Sequence, residues 1–146
     1  MIDKKDEKIL IELKKNARQS TKDISKKVKI PRVTVHDRIK KMIDNGIIKS
    51  FTVKMDYKKI DLPTNVFVFV AITPNNITHR DLANRISKLP GAYEVHMITG
   101  EYDLLIKVKG KNIEEIGKIV IDKIRVMEGV SKSFTSVCLE TIKEDV

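Results

Sequence analysis

No stretch of this sequence constrains the fold more than Ser20 to Ile48. Ser20 suits a helix N-cap, and Asp23 stands three residues on, with Asp in place of the Glu of a capping box. Ile24 and Val28, four apart, share one helical face. The turn after them is only about Lys29-Ile30. Pro31 suits the first position of the next helix, where a missing N–H costs nothing. Val35, Ile39 and Met42 fall at i, i+4 and i+7 and make an inward stripe. Gly46, after Asn45, is a natural C′ stop. The spacing predicts a short helix, a tight turn and a longer helix.

Stepping 100° per residue from Val35 turns Val33, Thr34, Asp37, Lys40 and Lys41 outward and leaves His36 on the flank. Two readings fit that face. One is a basic amphipathic helix that simply meets water. The other is a helix laid in a DNA major groove, where Val and Thr methyls meet thymine methyls and Lys reaches phosphate. An outward Val beside Thr, His and two Lys favours the second.

The segments Ile24-Ser25-Lys26-Lys27-Val28, Val35-x-x-Arg38-Ile39 and Asn45-Gly46-Ile47-Ile48 resemble the helix-turn-helix of the leucine-responsive/AsnC (feast/famine) transcription regulators. Two positions depart from that pattern. Lys29 stands where the family usually has a turn Gly, which asks a lysine for a left-handed conformation. Ile30-Pro31 stands where the family often has a Ser or Thr cap. The candidate DNA-contacting residues are Ser20, Thr21, Arg32, Val33, Thr34, His36, Asp37, Arg38, Lys40 and Lys41. Among them Arg32, Lys40 and Lys41 are expected to neutralise phosphates. Val33, Thr34, His36 and Asp37 are expected to face base edges, and Arg38 to anchor the backbone at the groove's edge.

The charge distribution points the same way. Residues 1–60 hold 18 Lys+Arg against 8 Asp+Glu, a net +10, whereas residues 61–146 hold 11 against 12, a net −1. A basic head on a neutral body is the electrostatic footprint of a DNA-binding protein. Composition also excludes classes. No apolar run approaches the roughly 18 residues of a membrane span. Met1 leads straight into charged residues, so no signal peptide is expected. Cys138 is the single cysteine, which fits a reducing, cytoplasmic setting and excludes an internal disulfide or a multi-cysteine zinc site. His36, His79 and His96 share no metal-ligand spacing. No metal and no cofactor are expected.

Along the chain, Asp3 can cap a first helix to Asn16, with Ile9, Leu10, Leu13 and Ala17 inward. Three helices then make a head over 1–53. Ile48 to Val53 alternates and reads as a strand, which in the resembling family pairs with its copy in a partner subunit. Residues 54–64, with Asp61 and Pro63, read as a hinge. Residues 65–146 repeat loosely. Val66–Ile72 reads as a strand, Thr78–Leu89 as a helix and Tyr93–Thr99 as a strand. Tyr102–Val108 reads as a strand, Asn112–Val126 as a helix and Val130–Ile142 as a strand. Pro90-Gly91 and Glu128-Gly129 punctuate the two halves alike. This βαββαβ order is the ferredoxin-like arrangement. The expected class is therefore α+β, a three-helix, winged helix-turn-helix head plus a ferredoxin-like domain.

Val66 to Ile72 is apolar at every position, so both faces of that strand call for cover. With both helices on one face, a second copy of the sheet is the simplest cover for the other, which makes the protein at least a dimer. The resemblance further implies an octameric ring.

Catalysis has little support. There is no Gly-rich phosphate loop and no Gly-x-Ser-x-Gly turn. Cys138 reads as a small core residue, and His96 has no evident acid partner in sequence. The loop Thr99-Gly100-Glu101-Tyr102-Asp103 reads either as a bare hairpin, with Asp103 bonding local amides, or as a ligand site. With Leu104 to Val108 it matches the family's Gly-x-Tyr/Phe-Asp segment, which lines an amino-acid pocket between dimers. By that resemblance the effector site takes Met97, Thr99, Gly100, Tyr102 and Asp103, and the acidic Glu101 beside Asp103 suits a ligand with a free ammonium. Thr135, Ser136 and Val137 join from a neighbouring subunit. The functional reading is a sequence-specific, DNA-binding transcription regulator, not an enzyme, whose second domain assembles and senses an amino acid or related metabolite. The rival readings are a nucleoid-type architectural protein without effector and a small metabolic enzyme on a basic scaffold.

Overall fold

The computed structural model describes residues 2–73 and 77–144. The chain divides into two units, Met1–Val53 and Lys54–Val146, each with its own core.

The first unit holds α1 (Lys4–Lys15), α2 (Thr21–Val28) and α3 (Arg32–Asp44). Asp3 caps α1 in a full capping box with Asp6. Ile9 is buried, Leu10 and Leu13 pack partly, and Ala17, expected inward, lies exposed beyond the helix end. Ser20 caps α2, accepting the Asp23 N–H at 3.2 Å while its hydroxyl donates to the Asp23 carboxylate at 2.6 Å. Lys29 ends α2 in the left-handed conformation, φ 55° and ψ 46°, as the missing turn glycine requires. Ser25 Oγ donates to the Ile30 carbonyl across the turn. Pro31 is the N-cap of α3 rather than its first residue, and its carbonyl accepts the Val35 N–H. Gly46, at φ 69°, closes α3 with the Ile47 N–H returned to the Met42 carbonyl, a Schellman motif. Ile9, Ile24, Ile30, Val35 and Met42 make the core. Residues 48–53 alternate as read but belong to no ladder, and Phe51 and Val53 are exposed.

The second unit begins inside the stretch read as a hinge. Asp56 caps a 3₁₀ turn, Tyr57–Ile60. There follow β1 (Thr64–Ile72), α4 (His79–Ser87), β2 (Ala92–Met97) and β3 (Leu104–Gly110). The helix α5 (Ile113–Gly117) continues as a π-helix over Lys118–Ile124, and β4 is Val130–Val137. The last strand is thus five residues shorter than read, because the β1 ladder ends at Val66 opposite Val137. The four strands pair antiparallel in the order β2-β3-β1-β4, the ferredoxin-like sheet. Val66, Val68, Val70 and Ile72 of β1 face the helices, against Leu82 and Ile86 of α4 and Ile116, Val120 and Ile124 of the second helix. Each fully buried Val, Leu or Ile contributes about 1.5–3 kcal/mol. Gly91 lets this layer close: at φ 91° it tolerates a turn most residues resist, and a Cβ there would meet Ile119 Cδ1 at 2.6 Å.

The apolar text of β1 resolves into two environments. Its even positions are buried, while Phe67, Phe69 and Ala71 face the open side half-exposed. The chain covers part of that side itself. Lys109 Nζ lies 3.4 Å from the centre of the Tyr57 ring, and Tyr57 meets Tyr93 edge-on at 5.2 Å. Lys107 is held between Glu94 and Glu144. Phe69, Tyr102 and Phe134 cluster at the other end, with Phe69 5.6 Å from Tyr102 and 6.1 Å from Phe134.

Candidate nucleic-acid interface and effector loop

Burial fixes which face of α3 looks outward. Val35 and Met42 are buried and Ile39 is half-buried, so the helix cannot turn its opposite side in without losing that core. Val33, 71% exposed, stands on the outer face with His36, Asp37, Lys40 and Lys41, and Thr34 is half-buried at its edge. Arg32 Nε donates to Thr21 Oγ1 at 3.3 Å, which brings the starts of α2 and α3 together. The Ser20 hydroxyl, also expected at DNA, is engaged in the α2 cap.

Arg38 differs from the other basic residues. Its Nη1 donates to Asp3 Oδ2 and Asp6 Oδ1, both at 2.8 Å. These pairs are absent from any local reading, because 35 and 32 residues separate the partners. The Asp6 backbone N–H and then the Arg38 guanidinium hold the Asp3 carboxyl at about 2, below its usual 3.8. Asp6 first and Asp3 second raise Arg38 in turn. The Asp3-x-x-Asp6 spacing was a visible capping signal, but nothing in sequence tied it to Arg38. The three residues line a groove of about 320 Å³ that Thr34, Asp37 and Lys41 share.

In the second unit the loop between β2 and β3 is exposed at Thr99, Gly100 and Glu101. Gly100 takes φ 124°, with open space where a Cβ would be. Asp103 is fixed: its N–H donates to the Val70 carbonyl and its Oδ2 accepts the Ile72 N–H at 2.7 Å. The local-amide role read as one alternative is therefore present, whatever else the residue does. Lys132 Nζ reaches Glu101 Oε1 at 2.7 Å and lies 5.1 Å from the Tyr102 ring. Met97 is exposed at the end of β2. Thr135, Ser136 and Val137 sit on the far edge strand, opposite Val68, Phe67 and Val66. From Val70, next to the loop, to Val66 is roughly 13 Å of strand. One chain alone does not gather both sets at one point.

Two other expectations change. His96 does have an acid partner, Glu94 Oε2 at 3.2 Å, since residues two apart share a strand face. Cys138 lies just past β4, half-buried beside Glu140 and Thr141, and not in the core. Among the described residues no cluster of potential metal ligands forms, and no helix is long and apolar enough to cross a membrane.

A helix-turn-helix head with an exposed basic face, carried in one chain with a ferredoxin-like domain, defines a class: two-domain DNA-binding transcription regulators. Residues 2–49 match the model for winged helix-turn-helix DNA-binding domains, and residues 65–146 the Lrp/AsnC ligand-binding domain. An uncharacterised HTH-type transcriptional regulator of Pyrococcus horikoshii is 48% identical over 147 residues, covering 100% of this chain and 98% of that one. The HTH-type regulator LysM of Saccharolobus solfataricus is 38% identical over 140 residues, 96% and 95% of the two chains. The crystal structure of a Neisseria meningitidis transcriptional regulator in complex with L-Met superposes with a TM-score of 0.93 at 26% identity, over 99% of this chain and 94% of that one. AsnC of E. coli shares the fold, with a TM-score of 0.87 at 23% identity over 100% and 97%. The chain belongs to the Lrp/AsnC family of transcription regulators, which are not enzymes.

Proposed function

We propose that this regulator reads a specific DNA sequence with α3 and couples that reading to a small amino acid-like ligand through assembly of its second domain. In this reading 1–53 is the DNA-binding head, 54–64 the connection and 65–146 the assembly and effector domain. Arg32, Lys40 and Lys41 neutralise phosphates, and Val33, Thr34, His36 and Asp37 meet base edges. The observation that carries it is the sidedness of α3. Val33 is 71% exposed two residues from the wholly buried Val35, and the exposed side carries methyl groups together with cations. Methyls distinguish thymine, whereas cations alone bind any duplex.

Assembly is supported by the half-exposed Phe67, Phe69, Tyr102 and Phe134 on the side of the sheet away from its helices. A second copy of this chain is their simplest cover, and dimers would join through the loop Thr99–Asp103. The L-Met held by the Neisseria relative supports a ligand with a free ammonium and carboxylate. Selection of bound duplexes from a random pool, followed by titration of the winner and of a scrambled duplex at one salt concentration, tests the reading. A ratio of about 10³ or more is expected of a specific regulator. A ratio near one would make the protein an architectural DNA binder.

A further inference from the structure

We propose that Arg38 is a positioning residue: clamped by Asp3 and Asp6, it sets the rotation of α3 about its own axis and so its grip on DNA, without itself neutralising a phosphate. The proposal rests on α3 being the helix that reads DNA.

The clamp is built from divided carboxylates. Asp3 Oδ1 accepts the N–H groups of Lys5 and Asp6 at 2.8 and 2.9 Å, and Asp6 Oδ2 accepts the Asp3 N–H at 3.1 Å. The two oxygens left over, Asp3 Oδ2 and Asp6 Oδ1, both go to Arg38 Nη1. The helix cap therefore orients the carboxylates, and they in turn orient the guanidinium. Arg38 lies one turn after Thr34 and next to Asp37, so what fixes Arg38 fixes them. The apolar stripe of α3 cannot do this alone, because apolar contact is not directional whereas hydrogen bonds are. A rotation of about 20° at a side-chain radius of about 6 Å moves a reading group by about 2 Å, beyond hydrogen-bond tolerance.

The clamp makes a prediction of sign. Asp6 is a negative charge in a DNA-binding head, and simple Coulomb attraction says that Asp6→Asn tightens DNA binding. If the clamp positions α3, the same change weakens it. The full-length chain is titrated by fluorescence anisotropy with a duplex it has selected from a random pool, over a series of salt concentrations. Arg38→Gln and Asp6→Asn are each expected to weaken binding by about 5- to 150-fold, the range of one lost base contact. The slope of log affinity against log salt should stay as in the parent, and the double variant should bind no worse than the weaker single. Asp3→Ser keeps a good N-cap and breaks half the clamp, so it folds and still weakens binding. If Arg38→Gln fails to fold, Asp3→Ser and Asp6→Asn decide the matter.

Unchanged or tighter binding by Asp6→Asn overturns the clamp. So does a slope that falls by about 0.9 in Arg38→Gln, the loss of one phosphate contact. Lys40→Ala/Lys41→Ala is run alongside. Loss there without loss in Asp6→Asn overturns the clamp alone, and no loss in either overturns the reading of α3 together with it.

Discussion

Lys29→Gly should stabilise the head, because Lys29 is one of two non-glycine residues with positive φ among those described. At φ 55° and ψ 46° its Cβ crowds the following carbonyl, which costs an L-residue about 1–2 kcal/mol. Glycine removes that cost but adds unfolded-chain entropy of about 0.4–1 kcal/mol. The net gain is about 0.5–1 kcal/mol. Lys29→Ala is the control, since it removes the same charge and keeps the strained backbone. The head has no aromatic residue but Phe51, so ordinary fluorescence does not report on it. Amide hydrogen exchange does. The N–H groups of Ile24 and Val35, bonded to the Ser20 and Pro31 carbonyls, lie on either side of the turn. Both should exchange about 2- to 5-fold more slowly in Lys29→Gly than in Lys29→Ala. Equal rates would refute the argument and mean that the tight turn, not the residue in it, sets the conformation at no cost.

Replacing Lys40 and Lys41 with Ala should weaken binding to all duplexes alike and flatten the salt slope by about 0.9 per lost phosphate contact, whereas Val33→Ala or Thr34→Ala should alter which bases are selected. Val68→Asp should unfold the second unit, since Val68 is wholly buried under its helices, while Phe134→Asp on the open side should leave the fold and separate dimers in sedimentation. Asp103→Ala should lower the second unit's stability by about 1–3 kcal/mol in urea unfolding, because it orphans the Ile72 N–H, in addition to any effect on ligand binding. On acidification, the Asp3 carboxyl is held below its ordinary value in the fold. Its contribution is therefore complete above pH 3.8 and lost as pH falls toward about 2, a loss that helix dichroism should show and Arg38→Gln should diminish.

Much of this was legible in the sequence because the signals are local. Ser20, Thr78 and Asn112 each cap the helix assigned to them, since a cap needs only the next three residues. The left-handed turn at Lys29 was announced by the family resemblance, which puts a glycine at that position. The misses are long-range. Alternation over 48–53 calls for a partner backbone from a second subunit, and one chain by itself neither supplies nor denies it. Every apolar residue of β1 looked alike, and only the ladder register separates Val68, under the helices, from Phe69, on the open side. Arg38 read as a backbone anchor at the groove's edge, and nothing local announced its two carboxylates, which lie over thirty residues away. No local pattern announces that Lys107 and Lys109 are buried, because Tyr57 and Glu144 return across the sheet to meet them.

The position of β1 at the middle of the sheet has a consequence for synthesis. β1 emerges before either neighbour, and its Val66 waits for Val137, 71 residues later, to complete the ladder. At roughly 5–20 residues per second the ribosome needs roughly 4–14 s to supply that partner. The head is helical and only about fifty residues long, so it can fold in far less time. For those seconds a finished DNA-binding head is tethered to a strand, apolar from Val66 to Ile72, that first lacks β3 and then still lacks β4 on its other edge. Newly made chains on one messenger are therefore most open to strand-to-strand mispairing in that interval.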